Sequence, residues 1–569
     1  MIDMEKPIPI GIEFYKDMIN GGYYYVDKTL LIRDILKQGS KVTLFTRPRR
    51  FGKTLAQSTL QTFFEHEIKP DGNTVDNSAY FEGKKIMDAG EEYTKHLGRY
   101  PLIFLTLKSA KQPTYQMAYD FLVNGIMAEY ERHRYLLQGN ALSAKQKERY
   151  VTIMDRNAEP SEYAGALQFL SACLEQYHEE KTIILIDEYD VPLENAFYSG
   201  FYDEMVGFIR SLFESALKTN TSLNFAVVTG CLRISKESIF TGLNNFDITS
   251  ILDESYAEYF GFTPDEVEAM LGYYGIADRM EEAKMWYNGY LFGKTEMYNP
   301  WSVIKYVLDI VQKNTEFPKP YWSNTSSNSI IRDLVEQADQ NTKNEIEQLI
   351  AGGSIEKQVH EEITYGDIYQ TRDNLWNFLF FTGYLKEVGR RFDSESIYLT
   401  LEIPNREIRY IYNNTIRSWF QQVVESGDYS ELYTAVVMGN TTLFEDLLNE
   451  QLQSSISFMD SAEMFYHGFL LGILGAMPHY QIRSNRESGK GRYDIALEPV
   501  SYRKPVIIME LKRATRFSEM EVKCQEALHQ IEIMQYDAEY VEKGYPNIMK
   551  YGICFCGKDC MIRLHNLPE

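Results

Sequence analysis

The residues of clearest chemical interest lie between Val42 and Thr54, in the stretch V-T-L-F-T-R-P-R-R-F-G-K-T. Its end, Gly52, Lys53 and Thr54, matches the end of the phosphate-binding pattern G-x-x-x-x-G-K-[ST]. In that pattern the lysine holds the β- and γ-phosphates of a nucleoside triphosphate and the hydroxyl ligates Mg²⁺. Arg47 stands where the pattern has its first glycine. The alternative is a basic turn that caps an ordinary helix.

The surrounding pattern favours a phosphate-binding loop. Val42 to Phe45 form a β-rich apolar run, and Leu55 to Phe64 follow the loop with amphipathic helical spacing. A strand, a tight turn and a helix aim backbone amides and the positive end of the helix dipole at a phosphate. We therefore expect Arg49, Arg50 and Phe51 to join the G-K-T residues in an ATP site.

A second element of chemical interest is acidic and follows an apolar run from Thr182, in T-I-I-L-I-D-E-Y-D. Such a run is typical of a strand in a parallel sheet covered on both faces, and ligands bind at the carboxyl ends of these strands. We expect Asp187 to hold the Mg²⁺ shell and Glu188 to polarise the attacking water. An acidic turn that merely ends a core strand is the alternative.

Two further candidates follow the next apolar run, Asn224 to Thr229, which predicts a strand. Thr229, at the end of this strand, is expected to contact the γ-phosphate or the lytic water. Arg233 either stabilises charge in the transition state within the same chain or is a surface residue. Leu102 to Leu107 supply one more strand, so the front of the chain is predicted to be α/β with a parallel sheet.

Four stretches together resemble a known family. They are Y-Y-Y-V-D-K-T from Tyr23, R-P-R-R-F-G-K-T from Arg47, L-I-D-E-Y-D from Leu185 and V-V-T-G-C-L-R-I-S-K-E-S-I-F-T-G-L-N-N from Val227. These stretches resemble bacterial AAA-ATPase-like proteins that carry a C-terminal PD-(D/E)xK nuclease-like domain. In that family R-P-R-R-F-G-K-[ST] is the usual loop. The loop arginines either supply positive charge in place of the missing glycine or pair with neighbouring acids. The tyrosine stretch could lie against the base.

The last part of the chain has two carboxylates and a lysine with the spacing of a metal-dependent phosphodiesterase. Asp494 lies in a short predicted strand, and Glu510 and Lys512 share one face of another, Pro505 to Lys512. Two converging carboxylates can hold Mg²⁺, which lowers the pKa of a bound water. Lys512 can orient that water and stabilise negative charge. The resemblance implies this D…E-x-K arrangement at this position.

Other residues are assigned to the same site. Glu463, on the helix predicted before the basic loop, would complete the metal shell or hold a second ion. Gln530 resembles the polar helix position beside such sites. Arg486, Lys490 and Arg492 offer phosphate contacts without sequence preference. The alternative is a nuclease fold that only binds nucleic acid or protein, with E-x-K as a surface pair.

Composition limits the function classes. The net charge of −23, from 58 basic and 81 acidic residues, repels polyanions, so nucleic acid must bind at a local basic patch. Six scattered cysteines fit a reducing interior. The chain begins without the apolar core of a signal peptide, and its apolar runs are too short for a membrane helix. We therefore expect a cytoplasmic protein without membrane contact.

The middle of the chain is less informative. A predicted helix from Leu375 to Leu385 and a strand from Ile397 to Ile403 would suit a winged-helix or lid domain. The aromatic stretch from Trp286 to Trp301 packs between domains or stacks on bases, and packing is favoured. The expected domains are 1–255, an AAA-ATPase-like P-loop domain; 256–440, a helical lid or winged-helix-like region; and 441–569, an α/β nuclease-like domain of restriction-endonuclease type.

The resulting hypothesis is an α/β ATPase joined to a Mg²⁺-dependent nuclease. We expect ATP binding or hydrolysis to gate or move the nuclease on nucleic acid, with DNA the expected substrate. A role in genome defence or in handling mobile DNA follows only by analogy. The alternative is a nucleotide-controlled signalling switch whose C-terminal domain is a docking module. The sequence leaves open whether the chain forms a homo-oligomer.

Overall fold

The computed structural model describes the chain except for residues 1–5, 234–245, 314, 316, 323–339, 351, 360–371, 394–395, 413, 415–427, 456–462, 476, 489–490 and 566–569. The chain divides into two compact units. The first comprises Met1–Thr325 and Glu356–Ile408, and the second comprises Ser326–Ile355 and Arg409–Glu569. In the part of the chain that is described, no helix combines the length and the apolar character needed to cross a bilayer.

A parallel sheet forms the centre of the first unit. Its described strands are β1 (Val42–Thr46), β2 (Leu102–Thr106), β3 (Thr182–Asp187), β4 (Leu223–Gly230) and β5 (Phe246–Thr249), in the order β2-β3-β4-β1-β5. β1 and β3 are buried along their whole length, as the apolar runs predict for strands covered on both faces. Because β4 lies between β1 and β3, the carboxyl ends of all three strands meet at one edge of the sheet.

The helix after β1 is fastened to this sheet. The described helices before residue 214 are α1 (Tyr15–Asn20), α2 (Leu30–Gln38), α3 (Lys53–Phe64), α4 (Glu91–Thr94), α5 (Tyr115–Arg132), α6 (Ala144–Met154), α7 (Pro160–Ala164), α8 (Ala166–His178), α9 (Val191–Ser199) and α10 (Tyr202–Phe213). On α3, the amide of Gln57 donates to the carbonyls of Ile186, at 3.2 Å, and Val227, at 3.1 Å. The start of α3 is therefore held over the ends of β3 and β4.

The middle of the chain contains short helices and two small sheets. The described helices are α11 (Pro264–Tyr273), α12 (Met280–Tyr287), α13 (Pro300–Lys313), α14 (Gln340–Ile350) and α15 (Arg372–Phe381). The strands are β6 (Tyr290–Phe292), β7 (Thr295–Met297), β8 (Ile355–Gln358), β9 (Lys386–Asp393) and β10 (Ser396–Glu402). α15 and β10 confirm the predicted helix and strand. β9 escaped prediction because most of its side chains are polar and exposed.

The second unit has a mixed sheet of strands β11 (Tyr480–Ser488), β12 (Gly491–Pro499), β13 (Val506–Arg513), β14 (Ile548–Cys556) and β15 (Asp559–Leu564), in that order. β13 and β14 are parallel, whereas β12 and β13 are antiparallel. Its described helices after residue 429 are α16 (Ser430–Met438), α17 (Thr441–Ser455), α18 (Glu463–Gly475), α19 (Met520–Ile533) and α20 (Ala538–Glu542). α19 packs closely on the sheet because Gly552 has no Cβ, which would otherwise collide with the carbonyl of Cys524.

Candidate nucleotide and metal sites

The loop between β1 and α3 encloses its lysine. Lys53 is 5% exposed, and its ammonium donates to the carbonyls of Arg47, at 2.9 Å, and Pro48, at 3.0 Å. Gly52 caps α3 with a φ of 84°, a left-handed conformation that glycine adopts without strain. The ammonium therefore lies in the curve of the loop at a helix N-terminus, where positive charge favours an anion.

The carboxylate of Asp187 connects the loop helix to the sheet. The hydroxyl of Thr54 donates to its Oδ2 at 2.7 Å, and the hydroxyl of Thr229 donates to its Oδ1 at 2.6 Å. Asp187 is fully buried at the end of β3. A hydroxyl and a carboxylate are oxygen ligands of the kind that Mg²⁺ prefers, so these residues fit a magnesium ion. Thr229 contacts Asp187 and is not among the residues that line the adjoining cavity.

Glu188 has a conformation that is costly for its residue type. Its φ is 53°, and strain of this kind costs on the order of 1–3 kcal/mol and is common at functional sites. Burial raises the pKa of Glu188, while the nearby ammonium of Lys53 opposes this rise. Glu188 lines the cavity beside the loop. A carboxylate with a raised pKa in that position is suited to accept a proton from water.

The cavity over the loop has a volume of about 580 Å³, which suits a small-molecule ligand. Arg49 to Thr54 line it, together with Glu188 and Lys108. Tyr24, Tyr25 and Trp301 supply aromatic surface elsewhere in its wall. The tyrosine stretch that the sequence analysis placed near a base therefore does line this cavity.

Arg47 has a different environment from either of the two expected. It is fully buried, and one guanidinium nitrogen donates to the carbonyls of Thr46 and Thr249, each at 3.0 Å. Its charged group also lies 5.3 Å from the ring centroid of Phe292. Burial lowers the pKa of Arg47 to about 9. The side chain thus holds the loop against β5. The ring of Phe51 is likewise buried, 5.2 Å from that of Phe292, which leaves its backbone for ligand contact.

The remaining arginines differ in their access to the cavity. Arg49 lines it and forms an ion pair with Glu194 of α9. Arg50 also lines it, and its guanidinium lies over the ring of Trp301, 4.5 Å from the centroid. Burial lowers the pKa of Arg50 to about 10. Arg233 is not among the lining residues. Its assignment to the nucleotide site stays a prediction without support from this geometry.

Asp190 belongs to the cavity wall and was missed in the sequence. It is 2% exposed, and its Oδ2 accepts hydrogen bonds from the backbone N–H of Cys231, at 2.7 Å, and of Leu232, at 3.3 Å. Burial raises the pKa of Asp190. It therefore fixes the chain that leaves β4. The signal that could have identified it is the third acid in D-E-Y-D.

The second acidic site lies on the adjacent strands β12 and β13. Oδ2 of Asp494 accepts the backbone N–H of Leu511 at 2.8 Å. Glu510 is 2% exposed, and its Oε1 accepts a hydrogen bond from the Lys512 ammonium at 3.1 Å. Its Oε2 is buried and has no hydrogen-bond partner among the described residues. Burial, and secondarily the charge of Asp494, raise the pKa of Glu510 to about 7.

This arrangement fits a divalent cation. A buried carboxylate oxygen without a partner is costly, and two neighbouring carboxylates disfavour each other's ionised form. A cation between Asp494 and Glu510 would relieve both costs. Within the described ranges, no group of three or more His, Cys, Asp or Glu side chains could hold a metal ion. An ion at this pair would therefore need further ligands from water or from substrate.

Several expected contacts at this site fall outside the described residues. Glu463 begins α18, but its side chain is not among those described. The same holds for the basic loop side chains of Arg486, Lys490 and Arg492. Their roles stay predictions.

Gln530 is linked to the acidic pair through Tyr536. Its Nε2, on α19, donates to the hydroxyl of Tyr536 at 3.1 Å. Tyr536 is 2% exposed, and burial raises its pKa, with smaller contributions from the charges of Glu510 and Asp494. Tyr536 is a second residue that the sequence analysis missed, because no spacing rule linked it to the acids.

Comparison with known proteins matches two parts of the chain to family models. Residues 9–240 match the family model described as a predicted AAA-ATPase, and residues 461–564 match that of the PD-(D/E)XK nuclease superfamily. The chain joins an AAA-ATPase-like domain to a PD-(D/E)XK nuclease-like domain. The predicted α/β fold class and the recognised architecture are thereby confirmed. The first match contains Lys53 and Asp187, and the second contains Asp494 and Glu510.

One curated relative is similar over part of its length. It is named "Uncharacterized protein in vnfD 5'region", from Azotobacter chroococcum mcd 1, and is 28% identical over 332 residues. The match covers 58% of this chain and 56% of the relative. This chain therefore spans little more than half of the relative that it matches.

Proposed function

We propose that the AAA-ATPase-like domain binds ATP together with Mg²⁺ and hydrolyses it. The observation that supports this most directly is that Lys53 and Thr54 line a cavity with an aromatic wall, while the hydroxyl of Thr54 donates to Asp187. Lys53 would exchange its loop carbonyls for phosphate oxygens, which are stronger acceptors because they are charged. Thr54 and Asp187 would hold the ion, which neutralises charge on the phosphates.

In the hydrolysis step we assign the base to Glu188. Its position in the cavity wall and its raised pKa suit the orientation of a water and the acceptance of a proton. Thr229 would act through Asp187, which it already contacts. Asp190 would act as a positioning residue, since it fixes the chain after β4.

For the nuclease-like domain we propose Mg²⁺-dependent hydrolysis of phosphodiesters in nucleic acid, with DNA as the substrate. The supporting observation is the buried Oε2 of Glu510, which lies beside Asp494 and has no hydrogen-bond partner among the described residues. These two carboxylates would hold the ion, which supplies an acidified water. Lys512, whose side chain is 21% exposed, would leave Glu510 to bind the phosphate and stabilise its negative charge.

The two proposed activities lie in one chain, so we propose that the nucleotide state controls the nuclease. A role in defence against foreign DNA, or in handling mobile DNA, fits that combination by analogy alone. The competing function is a nucleotide-controlled switch in which the C-terminal domain binds a partner without cutting it.

Plasmid incubation distinguishes these functions. Supercoiled plasmid is incubated with purified chain and Mg²⁺, with and without ATP, for wild type, Glu510→Ala and Lys512→Ala. Nicking or linearisation by wild type that both variants lose supports the nuclease. If wild type turns over ATP yet leaves the plasmid intact under every condition, the nuclease assignment fails and the switch is favoured. ATP-dependent cutting in wild type that Lys53→Ala abolishes supports the coupling.

A further inference from the structure

A second cavity lies at the carboxyl ends of β13 and β14, with a volume of about 370 Å³. Arg513 and Lys558 supply positive charge to its wall, and Phe517 supplies an aromatic ring. Among the described lining residues, Asp559 supplies negative charge. We call Arg513, Arg516, Phe517 and Lys558 the basic-aromatic surface.

The cations of this surface have no ion-pair partner in the portion of the chain that is described. This holds for Arg513, Arg516 and Lys558, whereas Lys523 and Lys550 of the same domain are each paired with a carboxylate. The nearby carboxylate of Glu519 accepts hydrogen bonds from the backbone N–H and hydroxyl of Thr515, at 3.2 and 3.0 Å, and these bonds lower its pKa more than the charge of Arg516 does. In a chain of net charge −23, cations that gather at one cavity and lack an ion pair among the described residues suit a polyanion.

Phe517 adds a contact of another kind. Its side chain is 64% exposed, and it lies in a short turn between β13 and α19. An exposed ring flanked by cations is the combination with which proteins hold single-stranded nucleic acid, since bases stack on the ring while cations follow the phosphates. In a duplex the bases already stack on each other, so a single strand fits this surface better.

We propose that the basic-aromatic surface binds the single-stranded flank of a nucleic acid whose scissile phosphate lies at the acidic pair. This inference rests on the proposed nuclease function. Glu510 and Arg513 are three residues apart on β13, which places their backbones about 10 Å from each other. Side chains alternate along β13, so Arg513 projects from the face opposite to Glu510, at the carboxyl end of the strand. A nucleic acid that runs from the acidic pair around this end of β13 reaches Arg513, and an unstacked base then meets Phe517.

The test measures binding separately from cutting. Fluorescence anisotropy follows a labelled single-stranded oligonucleotide titrated with the full chain in EDTA, which removes divalent ions and prevents cleavage. Phe517→Ala should raise Kd at least about fivefold for the single strand, because base–aromatic stacking is lost. The double variant Arg513→Ala/Arg516→Ala should make the negative slope of log K against log salt shallower by about 1.4, at about 0.7 for each phosphate contact.

The turn at the opposite end of β13 supplies a matched control. Tyr502→Ala/Arg503→Ala removes an exposed ring, 57% exposed, and an exposed cation from the same domain, and should leave Kd unchanged. If Phe517→Ala binds like wild type, or the control loses as much affinity, the inference is overturned while plasmid cutting still stands. If replacing Phe517, Arg513 and Arg516 weakens the binding of a duplex as much as that of a single strand, the single-strand assignment is wrong. Wild type that neither binds nor cuts overturns both proposals.

Discussion

Replacing Glu510 with glutamine should stabilise the nuclease-like domain at alkaline pH while it removes the metal site. Burial and the nearby Asp494 raise the pKa of Glu510 from 4.5 to about 7 in the folded chain. The folded state therefore holds this proton more tightly than the unfolded state does. The contribution of this proton to the stability of the folded state is complete below about pH 4.5, falls as the pH rises, and is lost above about pH 7.

The size of the effect follows from the same pKa values. A rise from 4.5 to about 7 corresponds to about 3 kcal/mol, at about 1.4 kcal/mol for each unit of pKa. Glutamine carries no charge at any pH, so Glu510→Gln should gain about 3 kcal/mol over wild type at pH 8 without metal. The second compact unit, Ser326–Ile355 with Arg409–Glu569, falls in the size range of 150–250 residues, for which this is roughly 6–12 °C in the unfolding midpoint. At pH 5 the gain should largely disappear.

Differential scanning calorimetry in EDTA at pH 8 and pH 5 measures both midpoints. Glu519→Gln is the matched control, because this carboxylate is in the same domain and hydrogen bonds from Thr515 lower its pKa instead of raising it. Adding Mg²⁺ at pH 8 should stabilise wild type and leave Glu510→Gln unchanged. An equal midpoint for wild type and Glu510→Gln at pH 8, or an equally large gain at pH 5, would refute the reasoning.

Three further predictions concern the AAA-ATPase-like domain. Lys53→Ala should weaken ATP binding at least about tenfold, measured by calorimetric titration, with an unchanged circular dichroism spectrum, because it removes a charge-assisted bond; unchanged affinity would refute the placement of the phosphates. Glu188→Gln should keep ATP affinity but lower kcat about 100-fold or more in a phosphate-release assay, as loss of a general base does, and unchanged turnover would contradict the assignment. Trp301→Ala should raise the Kd for ATP, because the ring lines the cavity and contacts Arg50. Trp286→Ala serves as its control, because Trp286 is not among the described lining residues. Equal ATP affinities for wild type and Trp301→Ala would place the nucleotide elsewhere.

The parallel sheet and the acidic strands could be predicted because their signals are local. Continuous apolar runs lead directly into Arg47 and into Asp187, and such runs identify buried strands without any tertiary information. The alternation of Glu510 and Lys512 along β13 is likewise a property of one strand. The domain borders expected near residues 255 and 440 had no such signal and stay a prediction.

What could not be predicted depends on contacts between distant parts of the chain. Arg47 was expected to face a phosphate or an acid, yet its bond to the carbonyl of Thr249 spans 202 residues. The stacking of Arg50 on Trp301 similarly joins the loop to α13. In the aromatic stretch, Tyr287 and Tyr298 are fully buried, as packing would require, whereas Trp301 lines the cavity; packing between domains stays a prediction. Sequence spacing alone gives no measure of such long-range burial.

The most direct test of the central claim counts bound divalent ions by electron paramagnetic resonance. Mn²⁺ can replace Mg²⁺ at oxygen ligands and is visible to this method. With wild type we expect one bound ion per chain without nucleotide, and a second when ATP is added. Glu510→Gln should lose the first ion and keep the one that requires ATP. Lys53→Ala should keep the first ion and lose the one that requires ATP. Identical ion counts in wild type and Glu510→Gln would contradict a metal site at Asp494 and Glu510.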